Sequence, residues 1–344
     1  MSYTTINKSS EHFNTVLYTG TEPSNKAVTG VGFQPDWVWI KQRSGGEGNY
    51  LADVLRGSTY VLRSNEIDLE NNRGSNGVQS FDSDGFTAGG GDDINSSGGT
   101  FASWNWKANG AGSSNTDGST TSTVSANTTS GFSIVSYTGT GSNATVGHGL
   151  NSTPSVVMVK RRNGNSWWYT RHTGINMTNG HIFLNTTSAA STQSTSINGL
   201  SSSTFSLGTE TSVNESGGTY IAYCFAEKKG FSKFGSYTGN GNADGTFVYT
   251  GFKPAWVMVK SSTDTTNWTI MDNKRDIFNP KTKWLYPNVN DAEAIPGIEF
   301  DFLSNGFKSR TTGSYVNASG STYIYMAFAE APLVGTNNIP ATAR

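Results

Sequence analysis

Three carboxylates on one short stretch are the residues of this sequence that most directly suggest catalysis. Glu66, Asp68 and Glu70 alternate with Ile67 and Leu69, and such alternation places the three carboxylates on one face of a β-strand. Retaining glycosidases use two carboxylates about 5 Å apart as nucleophile and acid/base. The stretch is therefore compatible with polysaccharide hydrolysis.

Comparison of the chain with itself argues against this site. Asp68 and Glu70 align with carboxylates in a later copy of the stretch, whereas Glu66 aligns with Val289, and another copy offers only Thr and Ser at 186–188. The residues that follow, Asn-Asn-Arg-Gly at 71–74, are typical of a turn. We therefore expect a solvated loop and a protein that is not an enzyme, with polysaccharide depolymerisation as an alternative.

Metal and thiol chemistry find little support. The four histidines show no metal-ligand spacing, and Cys224 is the single cysteine, so zinc sites and internal disulfides are not expected. Apolar neighbours predict that Cys224 is a buried, inert thiol. Asp82, Asp84, Asp92 and Asp93 could bind calcium on a loop, although they do not match an EF-hand. We expect no cofactor.

Nucleic acids and membranes are also not expected as partners. The 24 basic residues are balanced by 25 acidic ones, whereas nucleic-acid proteins carry a basic excess on one face. No glycine-rich phosphate motif opens a helix, and no apolar stretch is long enough to span a membrane. The N-terminal segment lacks the apolar core of a secretion signal, so we expect synthesis in the cytoplasm.

Aromatic residues near the middle of the chain are the candidate ligand-binding residues. Trp167, Trp168, Arg171 and His172 lie close together in the sequence. Adjacent residues on a strand point to opposite faces, so one of the two tryptophans is expected outside. An exposed indole beside Arg171 and His172 could bind the apolar face of a sugar. The alternative is a fully covered tryptophan at a contact between domains or subunits.

A repeated stretch indicates the elements that must position these residues. Pro35, Pro154 and Pro254 are each followed six residues later by a lysine, with an almost unbroken apolar run between. Seventeen residues before each proline the chain has Tyr-Thr-Gly. Matched spacing of this kind predicts three copies of one unit. We expect the lysine to meet solvent or a neighbouring copy.

The composition and the patterns predict an all-β fold. The chain has 41 glycines and 12% aromatic residues, which suits many strands and turns, and no stretch shows a helical period. In the last strand of the first copy, large Trp104 and Trp106 alternate with Ser103 and Asn105, so we place the large face in the core of a sandwich. The run that follows Pro35 is apolar on both faces and should be a central strand.

The predicted organisation is a tandem of β-sandwich repeats with little helix. We assign residues 1–110 to repeat 1, 131–230 to repeat 2, and 231–344 to repeat 3 with a C-terminal tail. Residues 111–130 are rich in Ser, Thr and Gly, and are expected to form a linker or a hairpin arm.

The repeated motifs resemble those of repeat-containing structural proteins of tailed bacteriophages, especially marine phages and cyanophages, where such proteins are usually labelled tail fibre or tail protein. The resemblance covers nearly the whole chain. It rests on Tyr-Thr-Gly, the proline run ending in Lys, Asp53-Val54-Leu55-Arg56-Gly57, Asp82-Ser83-Asp84-Gly85-Phe86, Asn-x-Ser-Gly-x-Thr-Tyr and Ala327-Phe328-Ala329-Glu330. Repeat 2 departs from it, with Tyr169-Thr170-Arg171-His172 in place of the Asp-Val-Leu-Arg pattern.

The resemblance implies a jelly-roll or concanavalin-like β-sandwich and a place in the virion, but it supplies no catalytic residue. We expect a tail-fibre or receptor-binding component that contacts host surface glycans, together with other virion proteins and as a homo-oligomer, a trimer by analogy. The alternative is a capsid-decorating or connector protein that binds only virion proteins. The start of repeat 1 close to Met1 favours that alternative.

Overall fold

The chain folds as an all-β protein. The computed structural model describes residues 4–295, 297 and 299–334, and within these ranges the chain forms 27 strands and three α-helices of four residues. Two 3-10 helices span Ser9–Glu11 and Gly74–Asn76. The all-β class and the small helical content predicted from the sequence are confirmed.

The strands fall into three successive groups that follow the repeats. Repeat 1 contains β1 (Phe13–Thr19), β2 (Lys26–Thr29), β3 (Trp37–Gln42), β4 (Tyr50–Asp53), β5 (Tyr60–Arg63), β6 (Asn71–Asn72), β7 (Val78–Asp82), β8 (Gly85–Ala88), α1 (Asp92–Asn95) and β9 (Thr100–Trp106). The segment 111–130 contains β10 (Ser113–Asn115) and β11 (Ser122–Asn127). Repeat 2 contains β12 (Phe132–Thr138), β13 (Ala144–Gly147), β14 (Val156–Arg161), β15 (Tyr169–His172), β16 (Gly180–Phe183), β17 (Ser191–Thr192), β18 (Ile197–Leu200), β19 (Thr204–Leu207), α2 (Thr211–Asn214) and β20 (Thr219–Phe225). Repeat 3 contains β21 (Ser232–Thr238), β22 (Phe247–Tyr249), β23 (Phe252–Ser261), β24 (Thr269–Asp272), β25 (Phe300–Leu303), β26 (Gly306–Ser309), α3 (Ser314–Asn317) and β27 (Thr322–Pro332).

A tight turn joins β7 to β8 and ends at a glycine. The β7–β8 hairpin turns at Ser83 and Asp84, and Gly85 begins β8 with a φ of 150°. A Cβ atom at Gly85 would collide with the carbonyl oxygen of Val28 on the neighbouring β2. Only glycine combines that backbone conformation with so close an approach.

Each repeat consists of an inner sheet and a smaller outer sheet. The inner sheets have the orders β1-β9-β3-β4-β5-β6, β10-β11-β12-β20-β14-β15-β16-β17 and β21-β27-β23-β24. The outer sheets are β2-β8-β7, β13-β19-β18 and β22-β26-β25. The strands β3 and β14 follow Pro35 and Pro154, whereas β23 contains Pro254 as its third residue. All three strands have antiparallel partners on both sides. Their predicted central position is confirmed.

The predicted position of the large faces in the sandwich cores is wrong. Trp104, Trp106 and their equivalents in β20 and β27 lie in one central core that all three repeats share. The smaller face of β20, with Ala222 and Cys224, packs in the sandwich core between the inner and outer sheets of repeat 2. Both faces of each inner sheet are therefore buried, and the larger side chains fill the space between repeats.

Three equivalent aromatic residues mark the centre of this shared core. Trp106, Phe225 and Phe328 hold the same position in the last strand of their repeats, and their ring centroids lie 5.7–6.4 Å apart in all three pairs. Equivalent residues can all touch one another only around a threefold axis. The repeats are therefore arranged as a ring with approximate threefold symmetry, within a single chain.

Three loops close this ring. We call residues 65–70, 185–190 and 288–293 the clasp loops, because each crosses to the next repeat. The N–H of Glu70 donates to the carbonyl of Arg162 at 2.8 Å, and that of Ala190 donates to Ser262 at 2.9 Å. The N–H of Glu293 donates to Arg43 at 2.8 Å, which returns the chain from repeat 3 to repeat 1.

The segment between repeats 1 and 2 is structured. Of the two interpretations of this segment, linker or hairpin arm, the structure matches the hairpin: β10 and β11 pair with each other, and β11 extends the inner sheet of repeat 2. No helix of the described residues has the length and apolarity needed to cross a membrane. The predicted tail beyond residue 334 lies outside the described residues.

Candidate functional site

The segment with alternating carboxylates is the first clasp loop. Residues 67–69 are exposed, as expected for a solvated loop, but Glu70 is not. Its carboxylate accepts hydrogen bonds from Nε and Nη2 of Arg162 at 3.0 and 2.9 Å. Glu66 lies 3.6 Å from Arg63. Because arginine binds both oxygens of Glu70, the geometry favours a role in joining the repeats over proton transfer to a substrate.

Buried charges continue this contact into the boundary between repeats 1 and 2. The guanidinium of Arg56 is fully buried and binds Asp53, Glu70 and the carbonyl of Leu51. From repeat 2, the hydroxyl of Tyr223 donates to Asp53 at 2.7 Å. Since every charge has an opposite partner or hydrogen bonds, the network can be buried, and it holds the two repeats in one orientation.

The boundary between repeats 3 and 1 has the same network. Arg275 binds Asp272 at 2.6 Å and Glu293 at 3.1 Å, and Glu293 in turn binds Arg43 of repeat 1. Trp104 of repeat 1 donates its indole N–H to Asp272 at 3.1 Å. Although burial acts in the opposite direction, the Arg275 guanidinium keeps the pKa of Asp272 below its usual value.

At the boundary between repeats 2 and 3, neutral or weakly basic residues replace all four charges. Strand pairing places His172 where the other repeats have Asp53 and Asp272. Ile175 follows three residues later, in the position of the buried arginine, and packs in the central core. Ala190 and Ser262 make the backbone clasp without an ion pair. The departure of repeat 2 from the common motif is therefore a change at one of three equivalent boundaries.

The repeated lysines also belong to these boundaries. Lys41, Lys160 and Lys260 are completely buried. Lys160 donates to the carbonyl of Ile67 at 2.7 Å and Lys41 to that of Asn290 at 3.2 Å, in both cases on a clasp loop of another repeat. Burial lowers the pKa of Lys160 to about 7. The prediction that the lysine contacts a neighbouring copy is confirmed for Lys41 and Lys160. Lys260 instead donates hydrogen bonds within its own repeat.

Two of the four predicted ligand-binding residues lie inside the protein. Trp168 has no exposed surface and donates its indole N–H to the carbonyl of Arg63 in repeat 1 at 2.8 Å. His172 is also buried, and its Nε2 lies 3.1 Å from the carbonyl oxygen of Tyr325 in repeat 3. Neither side chain can touch a ligand at the surface. Trp168 is the covered tryptophan at a domain contact that the sequence offered as the alternative.

His172 should make the stability of the protein depend on pH. Gly174 N–H donates to its Nδ1 at 2.9 Å, so Nε2 carries the proton and the neutral ring satisfies both neighbours. Burial lowers the pKa of His172 to about 4, whereas the unfolded chain has about 6.5. The unfolded state therefore binds the extra proton first, and we expect stability to fall by about 2–3 kcal/mol between pH 6.5 and 4.

Urea denaturation at pH 7.5 and at pH 4.5 measures this effect. In His172→Asn, which has no titrating ring, the loss between the two pH values should be smaller than in the wild type. Equal losses of stability in the two proteins would contradict the attribution of this pH dependence to His172. Carboxylates titrate in both proteins. The test therefore compares the loss of stability between the two pH values in the wild type with the loss in His172→Asn.

The two remaining predicted residues lie nearer the surface. Arg171 is half-buried, and its guanidinium donates to the carbonyl of Gly180 within its own repeat. The side chain of Trp167 is 44% exposed and packs edge-on against Phe183, with the ring centroids 4.6 Å apart. The other eight tryptophans are all buried. The structure therefore separates the four predicted residues, and among these four only Trp167 presents an aromatic surface to solvent.

Trp167 borders a shallow pocket between repeats 1 and 2. This pocket, of about 390 Å³, is lined by Asn65, Glu66, Ile67, Asp68, Trp167 and Asn185, and we call it the Trp167 pocket. Glu66 and Asp68 offer acceptors, the amides offer donors and acceptors, and the indole offers an apolar face. The first clasp loop thus contributes Glu66 and Asp68 to a surface site, whereas its Glu70 binds Arg56 and Arg162.

A second pocket lies in repeat 3, where sequence reasoning placed no site. This pocket, of about 380 Å³, has aromatic side chains from Trp284, Tyr286 and Tyr315 on its wall, with Thr187 of repeat 2 at its edge, and we call it the aromatic pocket. Tyr315 is fixed by its hydroxyl, which donates to Glu299 at 3.0 Å. Burial raises the pKa of Glu299 to about 7.

Two of the aspartates that could bind calcium have partners within the protein, and the single cysteine is buried. The carboxylate of Asp84 accepts backbone N–H groups of Gly30 and Gly32 at 3.0 and 2.7 Å, and Asp93 binds Arg63. Among the described residues no group of three or more His, Cys, Asp or Glu side chains could hold a metal ion. Cys224 is buried, as predicted, and burial raises the pKa of its thiol to about 12.

The sequence has no match among curated proteins. A family model does match, over residues 8–332, and so includes all three repeats and both pockets. The chain therefore belongs to the family described as a domain of unknown function, DUF7483.

Proposed function

We propose that this protein is a non-enzymatic structural component of a tailed-bacteriophage virion that contacts a host surface glycan through the Trp167 pocket. The repeated motifs, which resemble those of phage tail proteins, support the virion role. The observation that carries the glycan role is the single exposed indole, Trp167, beside the carboxylates of Glu66 and Asp68. An aromatic face next to hydrogen-bonding groups suits a pyranose, which has apolar faces and a rim of hydroxyls.

Comparison of the repeats supports a binding role for Trp167. Equivalent positions in repeats 1 and 3 are occupied by Gly48 and Asn267. The fold therefore does not require an aromatic residue there, and repeat 2 keeps a large indole half in water at a hydrophobic cost. Because one chain carries one such tryptophan, avidity for a glycan surface would come from several chains in the predicted homo-oligomer.

Binding of the labelled, purified protein to cells of the phage host tests this proposal. Trp167→Ala should weaken cell binding at least about tenfold, since exposed aromatic anchors often contribute more than 1.4 kcal/mol. Phe247→Ala is the matched control, because Phe247 is exposed to a similar extent, 43%, on a distant strand of repeat 3. Equal cell binding by the wild type and Trp167→Ala would refute the role of the pocket.

A connector role is the second candidate, and exposed apolar residues in repeat 3 favour it. Phe278 is 75% exposed and its neighbour Ile277 is 55% exposed, in the loop that follows β24. Adjacent exposed apolar side chains of this size suit a contact with another protein. If the wild-type protein binds phage particles but not host cells, and Phe278→Ala reduces that binding, the connector role replaces the glycan role.

A further inference from the structure

The aromatic pocket lies where repeat 3 differs from the other two repeats at a buried position. Tyr50 and Tyr169 are the first residues of β4 and β15, and both are buried in the sandwich cores of their repeats. In repeat 3 the same position is Thr269, whose side chain is far smaller. Trp284 takes the place of the smaller Val61, and space remains between its ring and the surface.

The wall of this space is aromatic. The rings of Trp284 and Tyr315 meet edge to face with centroids 4.5 Å apart, and those of Trp284 and Tyr286 lie 6.3 Å apart. Trp284 is buried, while the two tyrosines are partly exposed and line the pocket. The two tyrosine rings supply the kind of surface on which the apolar face of a sugar ring packs.

The rest of the lining is polar and uncharged. Hydroxyl and amide groups of Thr187, Thr266 and Asn267 border the pocket, and no Lys, Arg, Asp or Glu is among its lining residues. Thr269 Oγ1 and Trp284 Nε1 are buried without a hydrogen-bond partner among the described residues. Because both atoms lie beneath the surface, the polar groups offered to a ligand are those of Thr187, Thr266 and Asn267 on the wall.

The equivalent pocket in repeat 1 is lined by charged residues, in contrast to the aromatic pocket. That pocket, of about 430 Å³, is lined by Glu47, Arg63, Arg73, Asp92 and Asp93 among others. Tyr286 holds the position of Arg63, and Tyr315 that of Asp93. Repeat 3 has therefore exchanged a salt-bridged cluster for two tyrosines at the same place in the fold.

We infer that the aromatic pocket is a second binding site, and that it takes a neutral saccharide unit. Its volume lies in the range of ligand pockets, about 300–1,000 Å³. The tyrosine rings match an apolar sugar face, and the threonine and asparagine groups match hydroxyls. An anionic or cationic sugar would find no opposite charge on the wall. The site is separate from the Trp167 pocket, where two carboxylates are present.

Titration of the full chain with neutral hexose trisaccharides tests the inference. The probes are gluco-, manno- and galacto-configured trisaccharides, with a uronate and an amino-sugar trisaccharide for comparison, followed by calorimetry or saturation-transfer NMR. At least one neutral probe should bind with a Kd of about 1 mM or tighter. Tyr286→Ala should weaken it at least about fivefold, and Tyr249→Ala, an exposed tyrosine outside the pocket, should not. Thr269→Tyr, which restores the residue of the other repeats, should abolish it.

The outcomes separate this site from the Trp167 pocket. Loss of neutral-sugar binding in Tyr286→Ala with retention in Trp167→Ala supports the inference. Loss in Trp167→Ala alone would refute the inference while supporting the proposed glycan contact. If the charged sugars bind at Tyr286 better than the neutral ones, or no neutral probe binds with a Kd of about 1 mM or tighter, the inference is wrong. The result for Thr269→Tyr counts only if its circular dichroism matches that of the wild type. If it does not, Tyr286→Ala alone decides the test.

Discussion

Arg56→Ile should lower the free energy of unfolding by about 3–5 kcal/mol, because it leaves the buried carboxylate of Asp53 without its cation. Arg56 and Asp53 have no exposed side-chain surface, and Arg56 also binds Glu70 of the first clasp loop. Urea denaturation at pH 7.5 measures the change through the midpoint, provided that the m-value is unchanged.

The protein itself supplies the control for this substitution. The boundary between repeats 2 and 3 has His172, Ile175, Ala190 and Ser262 in place of the four charges. Transfer of that set to the boundary between repeats 1 and 2, as Asp53→His, Arg56→Ile, Glu70→Ala and Arg162→Ser, should recover at least about 2 kcal/mol of the loss. A quadruple variant less stable than Arg56→Ile would show that the boundaries are not equivalent.

Trp37→Ala should destabilise the protein by about 3–5 kcal/mol, since it removes a fully buried indole from the core that the repeats share. The ring of Trp37 stacks on Tyr223 of repeat 2 with centroids 4.3 Å apart, and it also contacts Phe132 of repeat 2 and Trp106. Because the contacts cross between repeats, all three repeats should lose stability together.

Trp37→Phe is the matched control. Its ring keeps most of the contacts and removes the indole N–H, which is buried without a partner among the described residues. We expect a loss below about 1.5 kcal/mol. Fluorescence and far-ultraviolet circular dichroism should give coincident urea transitions in both variants. Separate transitions, with repeat 1 unfolding first, would contradict a shared core.

The elements of the fold were predictable from local pattern, but their assignment to a core was not. The run after Pro35 is apolar on both faces, which correctly predicted a central strand. Alternation of Trp104 and Trp106 with small residues shows two different faces, and it cannot show which face meets another repeat. The larger face lies between repeats because three sheets around one axis leave more space than two sheets of a sandwich.

The candidate site was predictable only in part, because the sequence does not show which side chains meet another repeat. One of the two adjacent tryptophans is outside, as predicted, but both precede β15, so the exposure of Trp167 and the burial of Trp168 do not follow from strand alternation. His172 was grouped with them by its closeness in sequence, but its ring lies in the boundary with repeat 3. The aromatic pocket had a signal, the replacement of Tyr50 and Tyr169 by Thr269. The sequence shows that a small residue replaces a large one, but only the structure shows which aromatic residues line the space beside it.

We expect the protein to bind ligands where the three repeats differ, and not at the stretch that they share. Titration of the nitrogen-labelled protein with host surface glycan, followed through its nine tryptophan indole N–H signals, tests this most directly. Trp167→Phe and Trp284→Phe identify the two signals of interest. The Trp167 signal should shift, while those of Trp37, Trp39 and the other central tryptophans should stay unchanged. Shifts confined to the central tryptophans, or a glycan that binds without moving Trp167, would contradict this expectation.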